Sequence, residues 1–231
     1  MMAFWSAVSA GEALKADRLD ADYYKPADLR TLRLVRNVGG RELCKICSIL
    51  NGRTPPEYME EGASSVVRSG DLVAPLIYPN CGRGFLRTSL GKDTVPLKAG
   101  DVLISSIGLG SIGKISLVID PTGFSTVSEV TILRDSTYPA EYLWAYLSTK
   151  QGQSQIEREV TGATGQQHLL KSKVGRIVIP MPPKGIEPEL KGAILGAVKG
   201  AKAAETAYGL AEAALTSALR LDKLDLAPRL F

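Results

Sequence analysis

The C-terminal part of the chain limits what the rest can fold into. Residues 187–221 are alanine-rich and continuous. Within them Leu190, Ile194, Ala197, Ala201, Ala204, Tyr208, Ala211, Leu215 and Ala218 recur at alternating spacings of four and three. That is an a/d seam over about four heptads. At ~1.5 Å per residue it predicts a helix roughly 50 Å long, too long to be covered easily by a body of this size. The seam is mostly alanine, which lets a second helix approach closely but buries little area. Gly192, Gly196, Gly200 and Gly209 each weaken the helix by about 1 kcal/mol relative to alanine. The helix is therefore expected to need a second long helix packed on it; the alternative is a terminal helix folded back on its own domain.

Residues 100–119 carry the most motif-like stretch. Gly108, Gly110 and Gly113 form G-x-G-x-x-G after an apolar, β-branched run, and residues 108–114 also match the first seven positions of a phosphate-binding G-x-x-x-x-G-K loop ending at Lys114. Both motifs need a helix whose first N–H groups meet the phosphate. Here Lys114 is followed by Ile115-Ser116-Leu117-Val118-Ile119, a β-type run, then by the turn residues Asp120-Pro121-Thr122-Gly123. Ile115 also stands where a Ser or Thr hydroxyl would ligate Mg²⁺. The stretch reads as a glycine-rich hairpin whose glycines supply positive φ and close backbone approach.

At 231 residues the chain is long enough for one sizeable domain, or a domain plus an appendage. No apolar run approaches the roughly 20 residues that span a membrane, and residues 1–11 lack a basic n-region. A cytoplasmic protein with no membrane partner is the expectation. Three cysteines, an odd number, argue against a disulfide framework. Cys44 and Cys47 form a single C-x-x-C, with Cys81 and His168 distant in sequence; a structural zinc site usually shows two such pairs. The expectation is no metal and no cofactor, with the thiols buried in residues 43–50.

Taken in order, residues 27–37 read as a helix entered through Pro26 and stopped at Gly39-Gly40. Residues 41–98 alternate short apolar runs with turn signals, such as Asn51-Gly52 and Pro55-Pro56, and point to an irregular β-body. Residues 125–134 read as one further strand. A helix over 140–150 opens after Pro139 and stops at Gly152, and a second covers 153–160. A polar, glycine-flanked loop over 161–170 enters a helical turn, and residues 174–180 read as a strand ended by Pro180. The fold class expected is α+β: a β-rich domain with short helices over 1–185, then a long coiled-coil helix and tail over 186–231.

The net charge of +4 is mild, but its distribution is not even. Residues 161–184 hold Lys171, Lys173, Arg176 and Lys184 and no acid, and basic residues outnumber acids over 68–98. Basic loops on a globular body fit a polyanionic partner. Several motifs also occur in a familiar order: Arg18-Leu19-Asp20-Ala21-Asp22-Tyr23-Tyr24-Lys25-Pro26; Asn51-Gly52-Arg53-Thr54-Pro55; Gly100-Asp101-Val102-Leu103-Ile104-Ser105-Ser106 with the glycine hairpin; Tyr142-Leu143-Trp144-Ala145-Tyr146-Leu147-Ser148 with Gly152; Gly162, Thr164, Gln166 and Leu169; and Ile177-Val178-Ile179-Pro180-Met181-Pro182. In order and spacing the chain resembles half of a type I restriction-modification specificity subunit, with one target-recognition domain and one spacer helix.

The resemblance implies a non-catalytic, double-stranded-DNA-binding protein that directs a modification methyltransferase subunit and a restriction subunit to their target. Full-length members of that family carry two such domains tied by two antiparallel spacer helices. A single half would restore the arrangement as a two-fold homodimer through the seam and read a bipartite palindrome.

The residue chemistry fits independently. With one histidine and no Ser-His-Asp, H-E-x-x-H or paired-carboxylate pattern, no hydrolytic machinery is evident. Arg68, Arg83, Arg87, Lys92, Lys114, Lys171 and Lys173 are suited to phosphates. Gln166 and Gln167 are suited to base edges, with His168 beside them. Two other functions are compatible with the sequence: a phage-defence or methyltransferase-associated accessory protein acting through protein contacts, and a nucleotide-binding enzyme using residues 108–114. The hairpin reading predicts no thermal stabilisation by Mg²⁺-ATP or a dinucleotide; a clear shift lost in Lys114→Ala would overturn it.

Overall fold

The structure is a computed structural model describing residues 6–79, 85–89, 94–108, 110–162 and 167–219. Three apolar runs become the middle of the main sheet because both of their faces are covered. The elements before them are helices α1 (Ala10–Ala16) and α2 (Pro26–Asn37), and strands β1 (Arg41–Glu42), β2 (Ser48–Asn51), β3 (Ser64–Val67), β4 (Leu76–Ile77), β5 (Leu86–Thr88) and β6 (Val95–Pro96). The runs themselves form β7 (Val102–Ser105), β8 (Ile115–Val118) and β10 (Val130–Arg134), with β9 (Phe124–Thr126) between the last two. The five-stranded sheet has the order β2-β10-β7-β8-β4, antiparallel except for β8 with β4. A four-stranded sheet has the order β5-β3-β9-β6.

Strand parity decides which residues face the second sheet. Leu103, Val118, Val130 and Ile132 lie on one face and form a single core with Val66, Val67, Leu97, Phe124 and Val127. The opposite face carries Val102, Ile104, Ile115, Leu117 and Leu133, all buried. Helix α3 (Ala140–Ser148) packs on β7 and β8, with Leu143 and Leu147 buried. At one end of this sheet Arg134 clamps Asp101 through two bonds, Nε to Oδ1 at 2.8 Å and Nη2 to Oδ2 at 2.6 Å. Asp101 is 1% exposed and its carboxylate also accepts from the Lys98 N–H. A buried carboxylate with this bidentate partner and a backbone donor is well satisfied.

The sequence reading holds for α2, which Pro26 opens at its first turn. Three expectations are corrected. Residues 125–134 are two strands in different sheets, because Val127 N–H bonds back to Val67 and Val130 N–H to Val127, turning the chain from one sheet to the other. Residues 174–180 divide between helix α5 (Lys171–Val174) and strand β11 (Val178–Ile179), which pairs antiparallel with β1. Gly152 does not end a helix. Thr149 closes α3 and caps α4 (Lys150–Glu159), and Gly152 lies within α4, where a Cβ would meet the Tyr146 carbonyl oxygen at 2.4 Å.

The segment from Arg18 docks on the far end of α4. Asp20 caps a 3-10 turn, Ala21–Tyr24, by accepting from Tyr23 N–H. Arg18 donates to the Val160 carbonyl, Tyr23 Oη to Glu159 Oε1 at 3.0 Å, and Arg158 lies 3.8 Å over the Tyr23 ring.

The chain divides into two units, Met1–Leu190 and Lys191–Phe231. Helix α6 (Ile186–Ala218) is continuous over 33 residues; residues 220–231 lie outside the described residues. Ile194 and Val198 are its buried residues. Leu190 is half-buried, and Ala197, Ala201, Ala204, Tyr208, Ala211 and Leu215 are exposed. No helix among the described residues is long and apolar enough to cross a membrane.

The same substitution should act oppositely at two glycines. Gly152→Ala is expected to destabilise by about 1–3 kcal/mol through backbone overlap. Gly196→Ala, with nothing within 4 Å, should stabilise by about 0.5–1 kcal/mol. Urea midpoints read both, and equal midpoints would contradict the close approach of α3 and α4.

Candidate nucleic-acid interface

Where β7 ends and β8 begins, the glycine motif resolves into a hairpin loop. Ser105 N–H bonds to the Lys114 carbonyl at 2.9 Å and Gly113 N–H to the Ser105 carbonyl at 2.8 Å. Gly108, Gly110 and Gly113 have φ of 118°, 74° and 81°, a region that L side chains rarely adopt. A strand follows Lys114, so no helix N-terminus meets a phosphate here, and the nucleotide-loop reading loses its structural basis.

Four other segments reach the same end of the sheet, and backbone bonds fix them there. Gly52 N–H bonds to the Val130 carbonyl and Ser106 N–H to the Glu129 carbonyl, bringing together the segment after β2 and the turn before β10. His168 exchanges two backbone bonds with Thr161 and bridges Ile107, and Leu169 N–H bonds to the Ser106 carbonyl, which pins Thr161 and residues 168–169 to the hairpin. The 3-10 turn Ser69–Val73 packs against β7 and β8, with Ser116 Oγ donating to the Ala74 carbonyl. Beneath the tips runs a buried hydroxyl chain: Ser106 Oγ and Thr131 Oγ1 are 2.6 Å apart, and Thr131 Oγ1 donates to Asn51 Oδ1 at 3.4 Å.

The expected contact residues divide on this geometry. Lys114, Gln167 and His168 sit on the hairpin and the pinned loop, with Arg68 at the start of the 3-10 turn. Gln167, His168 and Arg68 are exposed and Lys114 is half-buried. Arg68 pairs with Asp71, its Nε 3.3 Å from Oδ2. Lys171 is exposed at the start of α5. Arg87 is exposed on β5, its carbonyl accepting from Met59 N–H. Lys173 is set apart: it is 8% exposed and its Nζ donates to the Ala16 carbonyl. Arg83, Lys92 and Gln166 lie outside the described residues.

The geometry adds residues to which the sequence reading gave no contact role. Thr54 Oγ1 and Ser128 Oγ are 2.8 Å apart and each lies 3.3 Å from Glu129 Oε2. Tyr58 belongs to the same neighbourhood: burial, then the Glu129 carboxylate, push its phenol up, while Arg68 pulls it down. Only the Asn51-to-Pro55 motif pointed here, since Glu129 lies 75 residues from Thr54.

A groove of about 760 Å³ beside the hairpin is lined by Arg18, Lys25 and Arg158 but also by Asp20, Asp22, Asp28 and Glu157, and Arg18 and Lys25 are paired with Asp20 and Asp22. The acids outnumber the cations there, so the loop tips offer a polyanion the better electrostatic path. A second cleft of about 390 Å³ is lined by Arg33, Arg36, Arg158 and Arg176 with the buried Glu159, whose Oε2 has no partner. Cys44 is exposed rather than buried, and Cys47 is half-buried, its thiol pushed up to about 12 by burial; Cys81 lies outside the described residues. Among the described residues no group of three or more His, Cys, Asp or Glu is placed to hold a metal ion.

No protein-family model matches the chain, and no curated protein does. Among solved structures it is similar to chains of type I restriction-modification systems. One is a chain from a study of complex assembly and conformational transition of the type I R-M system, at 18% identity and a TM-score of 0.48, covering 83% of this chain and 50% of that one. Another is the HsdS subunit from Thermoanaerobacter tengcongensis, at 18% identity and 0.48, covering 78% and 46%. A third is the type I restriction-modification S subunit from M. genitalium, at 15% and 0.48, covering 70% and 38%. The chain spans half or less of the length of each.

Replacing the buried lysine tests this placement. Lys173→Ala is expected to lower stability by about 1–2 kcal/mol through lost stem packing, and Lys171→Ala to stay within about 0.5 kcal/mol, read by chemical denaturation.

Proposed function

We propose that this chain is the sequence-reading, non-catalytic subunit of a type I restriction-modification system, directing methyltransferase and restriction subunits to a bipartite target. The observation that carries the reading is the convergence of five separate segments, rich in cations, amides and hydroxyls, at one end of a rigid sheet. Loops on a scaffold of this kind suit the division between phosphate contacts that position a duplex and base contacts that specify it. Arg68, Lys114 and Lys171 take the phosphate role, and Gln167 with His168 the base-edge role.

The second half of the recognition unit comes from a second copy through α6. Exposed seam residues support an antiparallel pairing of the two helices, with Ala197 opposite Tyr208 and Ala201 opposite Ala204. Tyr208 and Ile194 then each meet an alanine, and Leu190 meets Leu215. A parallel pairing would set Tyr208 against Tyr208 among alanine layers and force the helices apart. Lys191 and Glu212 on the flank become neighbours of opposite sign in the antiparallel arrangement alone.

Sedimentation mass together with selection from a randomised duplex pool at fixed salt tests the proposal. The expected result is a dimer enriching a split palindrome, with Leu215→Glu giving a monomer and Lys171→Ala flattening the salt slope by about one unit. A wild-type chain that enriches no sequence would overturn it.

A further inference from the structure

We infer that Glu129 is a base-reading residue, its carboxylate accepting a hydrogen bond from the exocyclic amino group of a cytosine in the major groove. The inference rests on the DNA-reading function proposed above. A surface that meets a polyanion loses binding energy at each carboxylate it presents, unless that carboxylate gains a specific partner. Glu129 stands at the loop end with Lys114, Gln167 and His168, because its own carbonyl receives the Ser106 N–H that opens the hairpin loop. It is half-buried rather than withdrawn from the surface.

What holds Glu129 differs from what holds other acids of the domain. Asp71 is paired with Arg68, and Asp101, at the opposite end of the sheet, with Arg134. Glu129 is held by two hydroxyls, Thr54 Oγ1 and Ser128 Oγ, on the same oxygen, Oε2. Among the described residues no lysine or arginine forms an ion pair with it. Hydroxyls orient a carboxylate without neutralising it, so its acceptor strength stays available to a ligand. The base-edge group that such an acceptor favours is the cytosine N4 amino group: guanine and thymine present the acceptors O6, N7 and O4, and adenine sets its N7 acceptor beside its N6 amino group, where a second carboxylate oxygen is repelled. Tyr58, its phenol raised first by burial and then by the Glu129 charge, adds a neutral hydroxyl to the same neighbourhood.

Glu129→Gln separates reading from support, because the amide oxygen still accepts from Thr54 and Ser128 while half of the acceptor surface becomes a donor. In selection from a randomised duplex pool, wild type is expected to require cytosine at one position of each half-site. Glu129→Gln should lose about tenfold preference at that position alone, leave the remaining positions intact, and bind random duplex more tightly. Thr54→Val, which removes one of the two orienting hydroxyls, should weaken the same position by a smaller factor. An enriched sequence that is identical in wild type and Glu129→Gln would overturn the inference and leave the DNA-reading function standing. A wild-type chain that enriches nothing would remove both.

Discussion

The constraint on which the rest of the structure depends is the two-sided burial of β7, β8 and β10. With one face against the four-stranded sheet and the other including the surface under α3, these strands have no solvent along their length. Every polar group near them must find its partner inside the protein or at the strand ends. Asp101 and Arg134 meet that demand at one end. At the other, Ser106, Thr131 and Asn51 form a hydroxyl and amide chain directly under the loop tips. The same chain that satisfies the core therefore fixes the segments above it.

This explains how a loop-rich surface is positioned without regular structure of its own. The hairpin, the Asn51-to-Pro55 segment, the turn before β10 and residues 161 and 168–169 are joined by backbone bonds to one another as well as to the sheet. Side chains on such a platform are held by the main chain around them. The segment from Arg18 to Pro26 acts one step further back, bracing the C-terminal end of α4 just before the pinned loop begins.

Helix α6 poses the opposite problem. Beyond Val198 it buries almost nothing in a single chain, and its glycines weaken it. The contrast between the two units is one of packing. In the first, glycines such as Gly152 mark close approaches where a methyl group would overlap backbone; in the second, Gly192, Gly196, Gly200 and Gly209 have open space around them.

Sequence alone determined the parts governed by local periodicity and turn chemistry: the Pro26 helix, the hairpin nature of residues 108–114, and the continuous C-terminal helix. These follow from rules that operate within a few residues. Tertiary structure decided the rest. Whether residues 125–134 were one strand or two depended on a bond from Val127 to Val67, 60 residues away. Whether Gly152 stopped a helix or let two helices touch depended on the Tyr146 carbonyl. Lys171 and Lys173 look equivalent in sequence, yet only the fold withdraws the second from solvent. Ser128 and Glu129 met Thr54 because β2 and β10 are neighbours in the sheet, and that adjacency is long-range, set by burial and register rather than by any local signal.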